Sequence, residues 1–259
     1  MGRAPLRCIL LGLWLSLSAL GAETPAPSPV LVELFTSEGC SSCPPADEFL
    51  RQLDAQQPIR GAHLIVLSEH VDYWDGQGWK DPYSSRELTA RQSDYERVLK
   101  VREAFTPQFI VDGTSDMRLS ERAKIAPLLM AAASSPKVTM SIDSLRVEPG
   151  SPRRVKGTIS IDGTTVRRSS EIYVALALDH ADSSVLRGEN RGQRLSHVAV
   201  LRELVKLGAI DPGVLNHRDF DIALRSDEPA EELRVVSFLQ DPGLSSVRGA
   251  AESRTSIAN

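Results

Sequence analysis

Three cysteines in 259 residues leave room for a single disulfide once the first of them, Cys8, is set aside with the leader described below. Aromatic side chains are also few, at 5% of the chain, with three Trp in all. Basic charge is not in excess: 30 Lys and Arg stand against 34 Asp and Glu, for a formal net charge of -4. A surface of that sign cannot neutralise a phosphate backbone, so nucleic acid is excluded as the main partner. The pairs Arg153-Arg154 and Arg167-Arg168 read as solvated faces. The sequence has no Gly-rich phosphate loop and no nucleophile elbow. His63, His180, His197 and His217 are scattered, without a nucleophile beside them, and read as structural. No cofactor and no metal ligand set is implied. What is abundant is ordinary: 41% hydrophobic and 25% charged residues, enough to bury a sizeable core in one large or two modest domains.

The one long apolar run is at the start. Arg3 and Arg7 precede an apolar stretch from Ile9 to Leu20, and Ala19-Leu20-Gly21 places small residues at the -3 and -1 positions. This predicts a signal peptide over residues 1–21, cleaved after Gly21. The run is shorter than the roughly 20 apolar residues a spanning helix needs, so no stable membrane insertion is expected after cleavage. No Cys follows the cleavage site, which argues against a lipid anchor. The expected location is periplasmic or secreted. There Cys40 and Cys43 are the remaining cysteines, in an oxidising compartment, and Trp74 and Trp79 the remaining tryptophans. Residues 22–29, rich in Pro, read as a flexible spacer.

Two textures follow. In residues 30–135, Val30 to Phe35 reads as a buried strand. Phe49, Leu50 and Leu53 mark an amphipathic helix that opens near Cys43-Pro44-Pro45, and His63 to Leu67 reads as a second strand. Strand, helix and strand in this order predict a βαβ unit with a parallel pair. A loop over His70 to Pro82, a charged helix over Ser84 to Val101, a strand over Phe105 to Val111, a turn at Asp112-Gly113 and a helix over Leu119 to Ala133 complete this half. In residues 136–259 about six or seven segments alternate apolar and polar side chains between Pro-Gly and Asp-Gly punctuation, which predicts an antiparallel sandwich or barrel. Leu195 to Leu204 is read as one of those strands, although a helix also fits.

Cys40-Ser41-Ser42-Cys43 is the segment with chemistry. At a helix N-terminus, unpaired N–H groups and the macrodipole favour a thiolate. A second sulfur one turn on can resolve a mixed disulfide. Cys40 is expected as the exposed attacking thiol and Cys43 as the resolving one. An inert staple is the competing reading, but so short a loop restrains the unfolded chain by only about 2 kcal/mol. Thr106-Pro107 is a candidate cis peptide at the entry to a strand. Glu33, seven residues before Cys40, is a candidate proton acceptor for Cys43 if it is buried beneath the dithiol. The loop with His70, Tyr73, Trp74 and Trp79 is a candidate substrate-binding surface, together with Thr106. Its competing reading is a loop pinned over the core by its indoles.

The run Val32 to Asp47, the loop His70-Val71-Asp72-Tyr73-Trp74-Asp75, Phe105-Thr106-Pro107-Gln108, and Gly188-Glu189-Asn190-Arg191-Gly192 with Leu195 and His197 together resemble a family of secreted bacterial proteins, domain of unknown function 1223. The resemblance covers nearly all the chain after the leader. It implies a thioredoxin-like α/β fold over residues 30–135, followed by the mostly antiparallel, sandwich-like β domain, with Pro107 beside the dithiol. The chain departs from typical thioredoxins: Gly39 stands where an aromatic residue usually precedes the first Cys, and Ser-Ser fills the dipeptide. The direction of electron flow is therefore not implied.

The expectation is an exported thiol–disulfide oxidoreductase acting on protein thiols or disulfides. Cys40 and Cys43 carry the exchange, and Pro107 shapes the substrate groove. Two alternatives stand beside it, a non-catalytic thioredoxin-fold binding module and a periplasmic copper chaperone using Cys40 and Cys43.

Overall fold

The computed structural model describes residues 26–226, 228–229 and 232–255. The expected leader and its cleavage site at Gly21 lie outside the described residues. The first half runs β1 (Ser28–Thr36), α1 (Pro44–Gln56), β2 (Ala62–His70), α2 (Arg86–Leu99), β3 (Gln108–Val111), β4 (Ser115–Arg118) and α3 (Ile125–Ser134). The second runs β5 (Met140–Glu148), β6 (Arg154–Asp162), β7 (Glu171–Ser184), β8 (Arg194–Ala209), β9 (Leu215–Ala223), β10 (Leu233–Gln240) and β11 (Val247–Arg254).

The βαβ unit forms as its pattern dictates. β1 and β2 pair in parallel from Ser28↔Ala62 to Thr36↔His70. β1 starts at Ser28 and so takes up the last two residues of the expected spacer. α1 opens with Pro44 and Pro45, whose missing N–H groups cost nothing in a first turn, and closes on Gln57 in the left-handed conformation. Its inward face is Ala46, Asp47, Leu50 and Leu53. Asp112-Gly113 makes the β3–β4 turn, with Gly113 at φ +67°, and a Cβ there would run into the Ser245 carbonyl. The expected helix from Leu119 is broken: Leu119–Lys124 is a 3-10 segment and α3 begins at Ile125. Pro127 explains this, because in a continuous helix its ring would clash with the carbonyl four residues back, whereas a first turn accommodates it.

The strands of the second half do not build a self-contained sandwich. One eight-stranded mixed sheet runs β11-β10-β7-β8-β2-β1-β3-β4, through both halves, and only β5-β6-β9 forms a separate antiparallel sheet. The change of texture near residue 136 therefore marks a change from α/β to all-β, while the sheet continues across it. Leu195 to Leu204 is strand, as expected, inside the longer β8. β11 had no alternating apolar signal, since Gly249, Ala250 and Ala251 fill its centre.

Alternation along β7 explains how the sheet serves two cores. Ile172, Val174 and Leu176 join Val155, Ile159 and Phe220 of the small sheet, a local sandwich of the expected kind. Ala175 and Ala177 face the other way and join Leu31, Leu50, Ile65, Val198 and Phe238 in the main core. The halves are also clamped by charge. The fully buried Arg234 of β10 makes a bidentate pair with Asp54 of α1, at 2.7 and 2.9 Å, and also binds Asp179 at 2.6 Å. Replacing Arg234 by Ala strands the Asp54 carboxylate at that junction and leaves Asp179 to Arg254. An expected loss of about 3 kcal/mol follows, to be read from the urea midpoint at constant m-value, and an unchanged midpoint would refute the clamp.

Candidate functional site

Cys40 and Cys43 lie between the end of β1 and the start of α1 and are joined in a disulfide, with Cα atoms 5.4 Å apart. Cys43 occupies the N-cap position of α1, and its carbonyl accepts from the N–H groups of Ala46 and Asp47. Cys40 Sγ lies 3.2 Å from Ser42 Oγ and 3.9 Å from the Thr106 carbonyl, to which Ser42 also donates. The Thr106–Pro107 peptide bond is cis. The third expected segment is thus beside the dithiol.

Cys40 departs from expectation in one respect. It was expected to be exposed, and it is fully buried, as is Cys43. The cover comes from the second half, as the hairpin loop between β7 and β8. Asn190 Nδ2 donates to the carbonyls of Glu38 and Cys40 at 2.9 and 3.0 Å, and Glu189 accepts from the Ser41 N–H. Gly188 lets this loop pass close to Trp79; a Cβ there would sit 3.1 Å from Trp79 Cβ. Gly39, in place of an aromatic residue, has a similar reason: an added Cβ would sit 3.0 Å from Trp74 Cβ.

Both indoles of the aromatic loop are tied down. Trp74 Nε1 donates to Thr106 Oγ1 at 2.8 Å, and Trp79 Nε1 donates to Glu38 Oε2 at 2.7 Å. The pinned-loop reading accounts for these contacts, and Tyr73 is the member left exposed. His70 is not on a binding surface. It ends β2, is fully buried, and its Nδ1 donates to Asp81 Oδ2 at 2.7 Å.

Glu33 is buried, but both its oxygens are already engaged. Oε1 accepts from Arg91, and Oε2 accepts from Tyr95 at 2.6 Å. A carboxylate so engaged is a poor acceptor for a Cys43 proton. Glu69 lies on the same Arg91, with Nε at 3.5 Å. Burial, and then the Glu33 charge, hold Glu69 well above the usual carboxylate range.

A second group of buried polar side chains sits behind the dithiol, most of it unassigned by the sequence reading. Glu38 accepts from Trp79 and from Ser183 Oγ at 3.1 Å, and its other oxygen lies 3.3 Å from His197 Nε2. His197 and His70 meet edge-on, with ring centres 4.7 Å apart, beside Tyr83. Asp47, one turn after Cys43, points toward both. His197 had been read as structural although it closes the fourth motif. The available signal for Asp47 was its place among Ala46, Leu50 and Leu53 on the inward face of α1.

With the geometry described, similarity can be stated. A family profile described as "Protein of unknown function (DUF1223)" matches residues 31–240, and the chain belongs to that family. Among solved structures, protein AGR_C_4864 from Agrobacterium tumefaciens is 23% identical, with a TM-score of 0.69 over 91% of this chain and 100% of that one. HBP35 of Porphyromonas gingivalis is 13% identical, with a TM-score of 0.63 over 89% of this chain and 76% of that one. At these identities the likeness is one of fold. No curated protein matches the chain.

The His70–Asp81 pair sets a pH dependence. Burial by itself lowers the His70 pKa, but the Asp81 charge and hydrogen bond, with Asp47 and Glu38, outweigh it and raise the value. Burial raises Asp81, but His70 and the N–H groups of Glu38 and Tyr83 bring it below its usual value. The His70 contribution is full below the ordinary histidine value of 6.5 and is lost as pH rises through the raised one. The Asp81 contribution is lost as pH falls through its depressed value. Asp81→Asn is therefore expected to cost about 2 kcal/mol near pH 6 and less toward pH 8, by urea unfolding across pH. A deficit that grows with pH over that range would contradict the pairing.

Proposed function

We propose that this chain is an exported thiol–disulfide oxidoreductase of thioredoxin-like architecture, exchanging disulfides with protein thiols through Cys40 and Cys43. The observation that carries the reading is a disulfide at the N-terminus of α1, with the second cysteine as N-cap and the carbonyl of Thr106 against the first. The positive end of the α1 dipole favours a thiolate there, and reduction of the pair is then reversible. A leader over residues 1–21 would deliver the protein to a periplasmic or extracellular compartment, where such exchange has substrates.

The covering hairpin gives this reading a condition. Asn190 and Glu189 must leave the Cys40 segment before a partner sulfur can approach in line. The burial of both cysteines also favours a second reading, a non-catalytic member of the fold that keeps the disulfide closed and presents Tyr73 and the loop around it to a partner. The copper-chaperone alternative has no such support: among the described residues no three His, Cys, Asp or Glu side chains gather as a metal site.

Exchange kinetics separate the two. Wild-type protein, first reduced, is expected to reduce a disulfide-linked reporter and to lose that activity in Cys40→Ser. Asn190→Ala, which frees two carbonyls of the covered segment, is expected to speed reduction by dithiothreitol about tenfold, since about 1.4 kcal/mol of hydrogen bonding is removed. A folded wild-type disulfide that resists millimolar dithiothreitol in both proteins would establish the non-catalytic reading instead.

A further inference from the structure

Four buried polar atoms from three elements behind the dithiol make no close hydrogen bond, Asp47 Oδ1 and Oδ2, His197 Nδ1 and His70 Nε2, with the Thr36 hydroxyl beside the Asp47 carboxylate. Orphaned polar atoms in a native interior are costly and call for an explanation. His70 Nδ1 is taken by Asp81 and His197 Nε2 faces Glu38, so each ring turns its other nitrogen inward. His197 Nδ1 then lies 3.8 Å from Asp47 Oδ2. A buried carboxylate beside a ring nitrogen is a place where a proton can be held.

Two further observations tie that proton to the dithiol and to solvent. Asp47 follows Cys43 by one turn of α1, its N–H bonded to the Cys43 carbonyl, and both side chains are buried. Residues at i and i+4 share a helix face with Cβ atoms roughly 5–6 Å apart. On the other side, Asp47 and His197 line a cavity of about 260 Å³ with Pro44, Arg51, Gln193 and Arg194, roomy enough for water.

We infer that Asp47 is the proton acceptor for the resolving thiol Cys43, with His197 from the second half as its positioning partner and the cavity as the route by which the proton reaches solvent. The inference rests on the oxidoreductase reading above. Starting from the reduced form with Cys40 as thiolate, its proton given up to solvent, Cys40 attacks a substrate disulfide to give a mixed disulfide and release one substrate thiolate. The Cys43 S–H proton then passes to the Asp47 carboxylate as the Cys43 sulfur attacks Cys40. The Cys40–Cys43 bond forms, the bond from Cys40 to the substrate sulfur breaks, and the second substrate sulfur leaves as a thiolate. The proton on Asp47 moves through the cavity water to solvent, where the substrate thiolates are protonated. The substrate disulfide is the oxidant, and no other is needed.

The surroundings of Asp47 raise its affinity for a proton. Burial raises its pKa; His197 from β8, His70 from β2 and the Thr36 hydroxyl from β1 oppose that rise, and Asp81 from the following loop adds to it. Glu48, Arg51 and Arg194 stand at the cavity wall.

The test uses the reduced full chain in two arms. In the first, Cys40→Ser leaves Cys43 as a thiol titrated by its ultraviolet absorbance, with and without Asp47→Asn. Removing a neighbouring carboxylate is expected to let Cys43 ionise at lower pH, and an unchanged titration would overturn the inference whether or not the protein is an oxidoreductase. In the second arm, rapid-mixing kinetics with a chromogenic disulfide separate attack by Cys40 from resolution by Cys43. Asp47→Asn is expected to slow resolution about a hundredfold near pH 7 while leaving the first attack unchanged. His197→Gln, which removes a group that lowers the Asp47 pKa, is expected to move the pH limb of resolution upward. Equal slowing of both steps, or resolution at the wild-type rate in Asp47→Asn, would overturn it. Failure of the wild-type protein to exchange at all would sink the oxidoreductase reading itself, and with it any step at Cys43.

Discussion

The placement of β8 beside β2 is the constraint on which the rest of the molecule depends. The junction is narrow: Ser68↔Val200 is its one paired position, although the core on either side is continuous. Packing is what holds it, through Val198 and Leu201 against Leu50 and Ile65, with the Arg234 clamp on α1 nearby. Once β8 lies there, its N-terminal end delivers His197 behind α1, and the hairpin before it delivers Glu189 and Asn190 over Cys40. A free-standing second domain could do neither.

The site is consequently a composite, and charge is buried where the halves meet. Arg91 draws Glu33 and Glu69 together, with Tyr95 and Gln240 completing the network and the rings of Tyr173 and Phe238 around the guanidinium. Buried ions of this kind add little net stability over well-packed apolar side chains, but removing one partner is expensive. They therefore favour one registration of the halves over its alternatives. Glu38 does the same nearer the dithiol, where it joins Trp79, Ser183 and His197. The polar side chains behind the disulfide are fixed by elements on both sides of the sheet, and the thiols sit on a rigid floor.

Local elements were largely legible because their signals are local. Alternation in Arg154 to Ile161 and the 3.6-residue spacing of Phe49, Leu50 and Leu53 follow directly from which faces are buried. The exceptions have local causes too: Pro127 splits a helix, and the small residues of β11 carry no alternation. At the site, Cys40, Cys43, Thr106 and Pro107 were found from their order along the chain, and the structure brings them together. Glu33 was singled out as a carboxylate inside an apolar strand but without its partner Arg91, because 58 positions separate them and no periodicity connects the two. Asn190 and His197 lay in the fourth motif, yet nothing in the one-dimensional pattern aimed Asn190 at the Cys40 carbonyl or His197 at Glu38.

What the sequence determined by itself is the set of elements and the place of the disulfide between a strand and a helix, since turns, periodicity and capping act over a few residues. Which strands share a sheet, whether the cysteines face solvent and which carboxylates are buried near the disulfide were decided only in the tertiary structure. Those outcomes depend on contacts between residues far apart in the chain, 159 positions for Glu38 and His197 and 180 for Asp54 and Arg234. They are set by how two apolar surfaces and a few buried charges are satisfied at once.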